Sequence, residues 1–265
     1  MSSTSAGATN GPWAGSPGAG VSLLLADGVE KIYRTTASEV PALRSVDLRI
    51  DEGEFVAVMG PSGSGKTTLL NCLSGLDDID GGHVYLDGVD LHSLSDADRT
   101  RNRASQMGFV FQQFNLIPVL SAVENVELPL LLAGVHGKEA RRRAGETLER
   151  VGLGHRVGHR PSELSGGEQQ RTTIARALAA HPRIVWADEP TGALDSETSG
   201  EIVELLRSLN DDGLTLVMVT HDDAIGAAAP RLVRMRDGRV VSDATQDAAR
   251  DATLATAASH VTAGP

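Results

Sequence analysis

The chain has 265 residues, a formal net charge of −11 at pH 7, a pI near 5.1 and only 3% aromatic residues. That length suits one large α/β domain or two small ones. The acidic balance and the scarcity of stacking rings argue against a nucleic-acid partner, and the single cysteine, Cys72, excludes an intrachain disulfide.

Residues 1–20 are rich in Gly, Ser, Ala and Pro and carry no charged side chain, which reads as a disordered tail. They lack the basic start and apolar stretch of a signal peptide, and no segment approaches the ~18 apolar residues of a membrane span. A cytoplasmic protein is therefore expected.

Val21–Tyr33, Ala42–Ile50 and Gly82–Leu91 read as strands of an antiparallel layer, with turns at Asp51-Glu52-Gly53 and Asp87-Gly88. Phe55–Met59 is an apolar run that predicts a buried strand, and Lys66–Gly75 predicts a helix in which Cys72 is a small apolar residue. Asp96–Gln106 predicts a polar helix. Ser121–Gly158 reads as helical, with Ala140, Ala144, Leu148 and Val151 on one stripe and Arg141–Arg143 on a solvated face. Gln169–Ala180 predicts a further helix. Ile184–Asp188 and Leu214–Thr220 return to buried strands, separated by a helix over Ser196–Asn210. Arg231–Asp243 predicts a hairpin turned at Asp237-Gly238, and residues 244–265 a frayed helix followed by disorder. No segment repeats internally.

The chemistry begins at Gly60-Pro61-Ser62-Gly63-Ser64-Gly65-Lys66-Thr67-Thr68, which reads GxxxxGKT between a predicted strand and a predicted helix. Glycines let the backbone curl until its N–H groups face phosphate oxygens, and the helix N-terminus adds positive dipole. Lys66 can reach the β- and γ-phosphates of a nucleotide, the Thr67 hydroxyl can ligate Mg²⁺, and Thr68 caps the phosphates from the next position. A second Gly-rich turn, Leu164-Ser165-Gly166-Gly167-Glu168-Gln169-Gln170-Arg171, opens the helix over Gln169–Ala180. Ser165 and Glu168 have the spacing of a capping box, and alone they describe a capped surface helix.

Together with the upstream loop, this octet resembles the signature motif of ATP-binding-cassette (ABC) ATPases, a resemblance that extends from about Val21 to Asp243. In that family the signature lies against the γ-phosphate of ATP held by the other subunit. Ile184–Pro190 looks like the Walker B strand: the resemblance implies that Asp188 holds Mg²⁺ through water and that Glu189 orients and deprotonates the attacking water. Gln112 matches the glutamine that senses Mg²⁺ and the membrane partner. Asp195, in Gly192-Ala193-Leu194-Asp195, matches the D-loop, His221 the switch histidine, and Tyr33 the aromatic that stacks on adenine.

The implied metal-binding set is thus Thr67, Gln112 and Asp188. The implied catalytic set is Glu189, His221, Lys66 and Gln112, and the remaining residues from Gly60 to Thr68 and from Ser165 to Glu168 are expected to hold ATP. Phe111-Gln112-Gln113-Phe114-Asn115-Leu116-Ile117-Pro118, Glu124–Pro129 and Ala187–Gly192 look like the cassettes of macrolide-export, lipoprotein-release and cell-division systems. Trp186 stands where a Leu is more usual, and Ala193 where an Asn is more usual.

The implied fold is an α/β P-loop NTPase: a RecA-like parallel sheet, an antiparallel β-layer and a helical insert at about 96–180, in one domain over 21–243. The implied function is Mg-ATP hydrolysis at a homodimer interface to drive a membrane permease of the exporter or lipoprotein-releasing type, docked near Gln112–Leu130. The subunit would then sit on the inner face of the cell membrane through that permease. Three alternatives stand beside it: an energiser of envelope remodelling or cell division without a transported substrate, a soluble ABC-type ATPase, and a nucleotide-binding regulator without turnover.

Overall fold

Phe55–Met59 is buried at all of its positions because it runs through the centre of a sheet covered on both faces. The computed structural model describes residues 22–34 and 38–245. In chain order, β1 (Ser22–Arg34), β2 (Glu39–Asp51), β3 (Phe55–Met59), α1 (Lys66–Leu73), β4 (Gly81–Leu86), β5 (Val89–Asp90), α2 (Asp96–Gln106) and β6 (Met107–Phe111) come first. They are followed by α3 (Ala122–Leu132), α4 (Gly137–Arg150), α5 (Gly166–Leu178), β7 (Ile184–Asp188), α6 (Ser196–Asp211), β8 (Thr215–Thr220), α7 (Asp223–Gly226), β9 (Arg231–Arg236) and β10 (Arg239–Thr245).

One sheet is antiparallel, in the order β2-β1-β4-β5. The other runs β10-β9-β3-β8-β7-β6 and is parallel except for its β10 edge. Side chains alternate between two cores along each central strand, as the two-residue period of a strand requires. Phe55, Ala57, Val185, Ala187, Leu216 and Met218 face a core shared with α3–α6. Val56, Val58, Ile184, Trp186, Val217 and Val219 face a second core shared with α1 and the antiparallel sheet. Cys72 lies in that second core at 0% exposure, the small apolar residue its sequence context suggests. Trp186 is there too, fully buried, and its indole N–H has no partner.

The α/β fold class read from the sequence is the one observed, with local differences. Residues 96–180, read as a helical insert, contain β6, which is the edge strand of the parallel sheet beside β7. Gly108 gives this strand its tolerance for α5: a Cβ there would meet the carbonyl oxygen of Ala177. The helical reading of Ser121–Gly158 resolves into α3 and α4. Gly134 and Gly137, at φ 83° and 63°, break the chain between them. The terminal hairpin pairs beyond itself, β9 lying parallel to β3. Ala244 and Thr245, read as the start of a tail, complete β10. The tails expected at 1–20 and beyond residue 245 lie outside the described residues. Among the described residues no helix is long and apolar enough to cross a membrane.

Candidate active site

The C-terminal ends of β3, β8 and β7, three neighbours in the parallel sheet, deliver residues 60–65, His221 and Glu189 to one side of the molecule. A cavity of about 500 Å³ opens there. Ser62, Gly63, Gly65, Lys66, Thr67 and Thr68 line it together with Glu189 and His221. The rest of its wall is Val40, Pro41, Ala42 and Arg44 of β2, and Asp237-Gly238 of the β9–β10 turn.

Lys66 is only 8% exposed. A buried ammonium needs acceptors, and Nζ donates to the carbonyl oxygens of Gly60 at 2.8 Å and Pro61 at 3.1 Å. Gly65 caps α1 at φ 99°, and a Cβ there would stand 2.6 Å from the Ala42 carbonyl oxygen. Gly238, at φ 75°, approaches the same oxygen equally closely. The Gly238 N–H donates to Ser64 O at 3.0 Å, and Arg44 N–H donates to Gly238 O at 2.9 Å. The loop, β2 and the terminal hairpin are therefore locked together through backbone, with no room for side chains at the contact.

Thr67 Oγ1 donates to Asp188 Oδ1 at 3.3 Å. Burial, with the adjacent charge of Glu189, pushes the Asp188 carboxyl above its ordinary value, and the Thr67 hydrogen bond and Lys66 pull the other way. A hydroxyl beside a partly desolvated carboxylate is a hard, all-oxygen donor pair, the kind that suits Mg²⁺ shared with phosphate oxygens. Among the described residues no cluster of three or more His, Cys, Asp or Glu offers an all-protein metal cage.

Glu189 occupies the left-handed region at φ 48°, which a non-glycine residue adopts only at a cost. Its N–H donates to Val219 O at 2.9 Å, tying the strained residue to β8. Its Oε1 lies 2.8 Å from His221 Nδ1. The carboxylate side chain is 18% exposed and the imidazole 69%. A carboxylate held by an imidazole on the wall of a cavity that also holds a buried ammonium can orient and deprotonate water.

The other expected residues do not line this cavity. Ser165, Gly166, Gly167 and Glu168 sit at the N-terminus of α5, where the capping box forms as its spacing predicts: Glu168 N–H donates to Ser165 Oγ at 3.2 Å, and Ser165 N–H to Glu168 Oε2 at 2.8 Å. The second Glu168 oxygen accepts from Arg156 Nε at 2.8 Å, so the carboxylate is used within its own chain. Asp195 caps α6, receiving the Thr198 N–H at 2.9 Å and the Thr198 hydroxyl at 2.8 Å, and these bonds hold its carboxyl below the usual range. Gln112 follows Phe111, the strand partner of Asp188, and lies against Gly192, where a Cβ would stand 2.8 Å from its Nε2; it does not line the cavity. Tyr33 stands at the cavity's edge. Its hydroxyl donates to Asp77 Oδ2 at 2.9 Å, and the side chain of Thr68, which does line the cavity, bears on the same phenol.

Two residues of α5 to which the sequence assigned no role, Gln170 within the second Gly-rich motif and Arg176 beyond it, connect these parts. Gln170, fully buried, donates to Pro190 O at 2.5 Å. Arg176 donates to Phe114 O at 3.0 Å and Asn115 O at 2.6 Å. The helix that starts at Ser165 is thereby fastened to the turn after Asp188-Glu189 and to the loop after Gln112. A separate groove of about 460 Å³, lined by Thr100, Arg103, Phe109, Phe111, Leu128 and Leu132 among others, opens between β6, α2 and α3. Leu132 there is 79% exposed.

The model of the ABC transporter family matches residues 43–192. An uncharacterized ABC transporter ATP-binding protein of Methanocaldococcus jannaschii, MJ0796, is 50% identical over 217 residues, covering 80% of this chain and 92% of that protein. A macrolide export ATP-binding/permease protein, MacB, of Syntrophobacter fumaroxidans is 49% identical over 213 residues, 79% of this chain but only 30% of that longer protein. A solved dimeric structure of MJ0796, in a post-hydrolysis state bound to ADP and Pi, superposes with a TM-score of 0.77 at 46% identity, over 84% of this chain and 98% of that one.

Proposed function

The chain belongs to the ABC transporter family, and from that premise we propose that two copies bind two Mg-ATP between them and hydrolyse them to drive a membrane permease. Within the family it is an ATP hydrolase. The observation that carries the reading is the meeting of buried Lys66 and the Glu189–His221 pair on one cavity wall.

In this reading Lys66 exchanges its carbonyl partners for the β- and γ-phosphates, and the N–H groups of residues 60–68 surround the same oxygens. Thr67 and Asp188 hold Mg²⁺, which when bound neutralises charge on the phosphates. Glu189 takes the proton of the attacking water. His221 keeps that carboxylate and the γ-phosphate in register. Tyr33 stacks on adenine, and Gln112, resting on Gly192, reports the state of the site to the partner side.

Ser165, Gly166 and Gly167 serve the ATP of the second copy. They lie at a helix N-terminus, which favours anions, yet outside their own chain's cavity. Asp195 sits at the seam between copies, with exposed Ala193 beside it. Glu168 acts by holding the cap rather than by touching phosphate, because Ser165 and Arg156 use both of its oxygens.

The apolar groove beside α3 is the docking site for the permease, and supports a peripheral location on the inner face of the membrane. The Syntrophobacter fumaroxidans relative is named a macrolide export ATP-binding/permease protein. The likeness to it favours an export role here. Phosphate release by the purified protein with Mg-ATP, and its loss on chelating Mg²⁺, tests the site. In proteoliposomes, Leu132→Arg should abolish stimulation by the permease.

A further inference from the structure

Immediately after α1 the chain makes an acidic loop, Asp77-Asp78-Ile79-Asp80, in which the Asp77 and Asp80 side chains turn onto β1 while exposed Asp78 pairs with Arg99 of α2. Lys31, 9% exposed, donates through Nζ to Asp77 Oδ1 and to Asp78 O, both at 2.7 Å. The same ammonium stands 5.1 Å from the centre of the Tyr33 ring. The other oxygen of Asp77 receives the Tyr33 hydroxyl at 2.9 Å. Asp80 Oδ2 receives the backbone N–H of Ile32, between the two residues, at 2.7 Å, and Asp80 N–H donates to Glu30 O at 2.8 Å. The loop is itself tied to the helix that follows the phosphate loop, through Leu76 and Asp77 N–H to Asn71 O at 2.8 and 3.1 Å.

We propose that Lys31 and Asp77 are positioning residues for the nucleotide base: Asp77 sets the plane of the Tyr33 ring, and Lys31 tunes that ring for stacking on a purine. This rests on the reading of Tyr33 as the adenine platform.

An aromatic face carries negative quadrupole density, so two stacked faces repel unless offset. An ammonium over one side of the ring draws that density toward itself and makes the ring a better surface for an electron-rich purine. The hydrogen bond from the phenol to Asp77 fixes the ring's rotation and pins it to the end of α1. The base platform and the phosphate loop therefore share one rigid support, so a nucleotide that bridges them meets both without further ordering of either. Neither Lys31 nor Asp77 touches the reacting phosphates in this scheme. Their effect falls on KM and not on kcat, and only for ligands that carry a base.

The test compares ATP hydrolysis, and its inhibition by ADP and by inorganic tripolyphosphate, in the wild type and in Tyr33→Ala, Tyr33→Phe, Asp77→Asn, Lys31→Met and Lys31→Arg. Lys31→Met and Asp77→Asn should raise KM for ATP and weaken inhibition by ADP by roughly three- to tenfold, leaving kcat and inhibition by tripolyphosphate unchanged. Tyr33→Phe should show part of that loss, and Lys31→Arg, which keeps a cation over the ring, should restore wild-type affinity. If Tyr33→Ala weakens ADP while Lys31→Met and Asp77→Asn do not, the platform works without the pair and the proposal is wrong. An equal loss of ADP and tripolyphosphate binding in those two variants would overturn it as well, because the loop would then act on the phosphate site. Should Tyr33→Ala itself leave ADP affinity unchanged, the adenine reading fails and the proposal with it.

Discussion

His221 Nδ1 lies 2.8 Å from Glu189 Oε1, a contact that joins the end of β8 to the end of β7. A second bond in the same direction, Glu189 N–H to Val219 O, holds the glutamate at φ 48°. The strain is thus balanced by two attachments to one neighbouring strand, and it aims the carboxylate into the cavity.

Because the two side chains act as a unit, their losses should not add. Glu189→Gln keeps the shape of the side chain but cannot accept a proton. It should bind ATP normally and lose about 10²- to 10⁴-fold in turnover. His221→Ala should lower turnover in the same direction, and the double variant should be little worse than Glu189→Gln alone. Single-turnover phosphate release, with ATP affinity measured on the same samples, checks both statements. Fully multiplicative losses would mean that the pair does not function as one device.

Asp188 carries a prediction with a definite sign. Its carboxyl is pushed up chiefly by burial, so the folded protein binds a proton more tightly there than the unfolded chain does. Stability from the protonated form is present below the ordinary carboxylate range and is lost as pH rises through the raised value. At neutral pH the buried charge is a burden on the fold. Asp188→Asn should therefore unfold at a higher temperature than the wild type at pH 7, with the difference shrinking toward pH 4, while Mg²⁺-dependent ATP binding is lost. Thermal unfolding at the two pH values, without nucleotide, measures it.

Gly238 tests the interlock between the terminal hairpin and the phosphate loop. At φ 75°, and with the Ala42 carbonyl oxygen 2.6 Å from where a Cβ would be, alanine has no strain-free place. Gly238→Ala should cost about 1–3 kcal/mol of stability. It should also weaken nucleotide binding, because its N–H would be drawn away from Ser64 O. Denaturant unfolding and ATP titration should move together. A destabilised variant with unchanged ATP affinity would separate the hairpin from the site.

Much of the site is legible in the sequence where it depends on short-range order. Phe55–Met59 and residues 184–187 and 216–219 are unbroken apolar runs because both faces of their sheet are covered; Asp188-Glu189 follows the second at once, His221 comes just past the third, and Lys66 stands across the Gly-rich loop from the first. The strand Met107–Phe111 is harder to read: it is short, it contains Gly108, and its stacked Phe109 and Phe111 rings are only half-buried. The need for glycine there comes from α5, far along the chain. Likewise Asp237-Gly238 reads as a turn, but nothing local says that the turn closes on Gly65 and Ala42. The partners of Gln170 and Arg176 are invisible for the same reason, although Gln170 stands inside the second Gly-rich motif: a polar side chain in a helix reveals its buried partner only after folding. Glycines at 134 and 137 could have divided the helical stretch into α3 and α4 from sequence alone.

The most direct test of the two-copy site uses the separation between Ser165 and the cavity of its own chain. Ser165→Arg puts a bulky cation where the partner's γ-phosphate would lie, and Lys66→Ala removes the cation of the phosphate loop. Each variant alone should be inactive, since both sites of each homodimer carry a lesion. In a mixed dimer the two lesions fall in one site, and the other is assembled from an intact loop and an intact α5 N-terminus. Equal mixing with free exchange should therefore restore up to about a quarter of wild-type hydrolysis. Recovery of activity from two inactive proteins is the predicted result. Full hydrolysis by a protein held strictly monomeric would contradict the shared site.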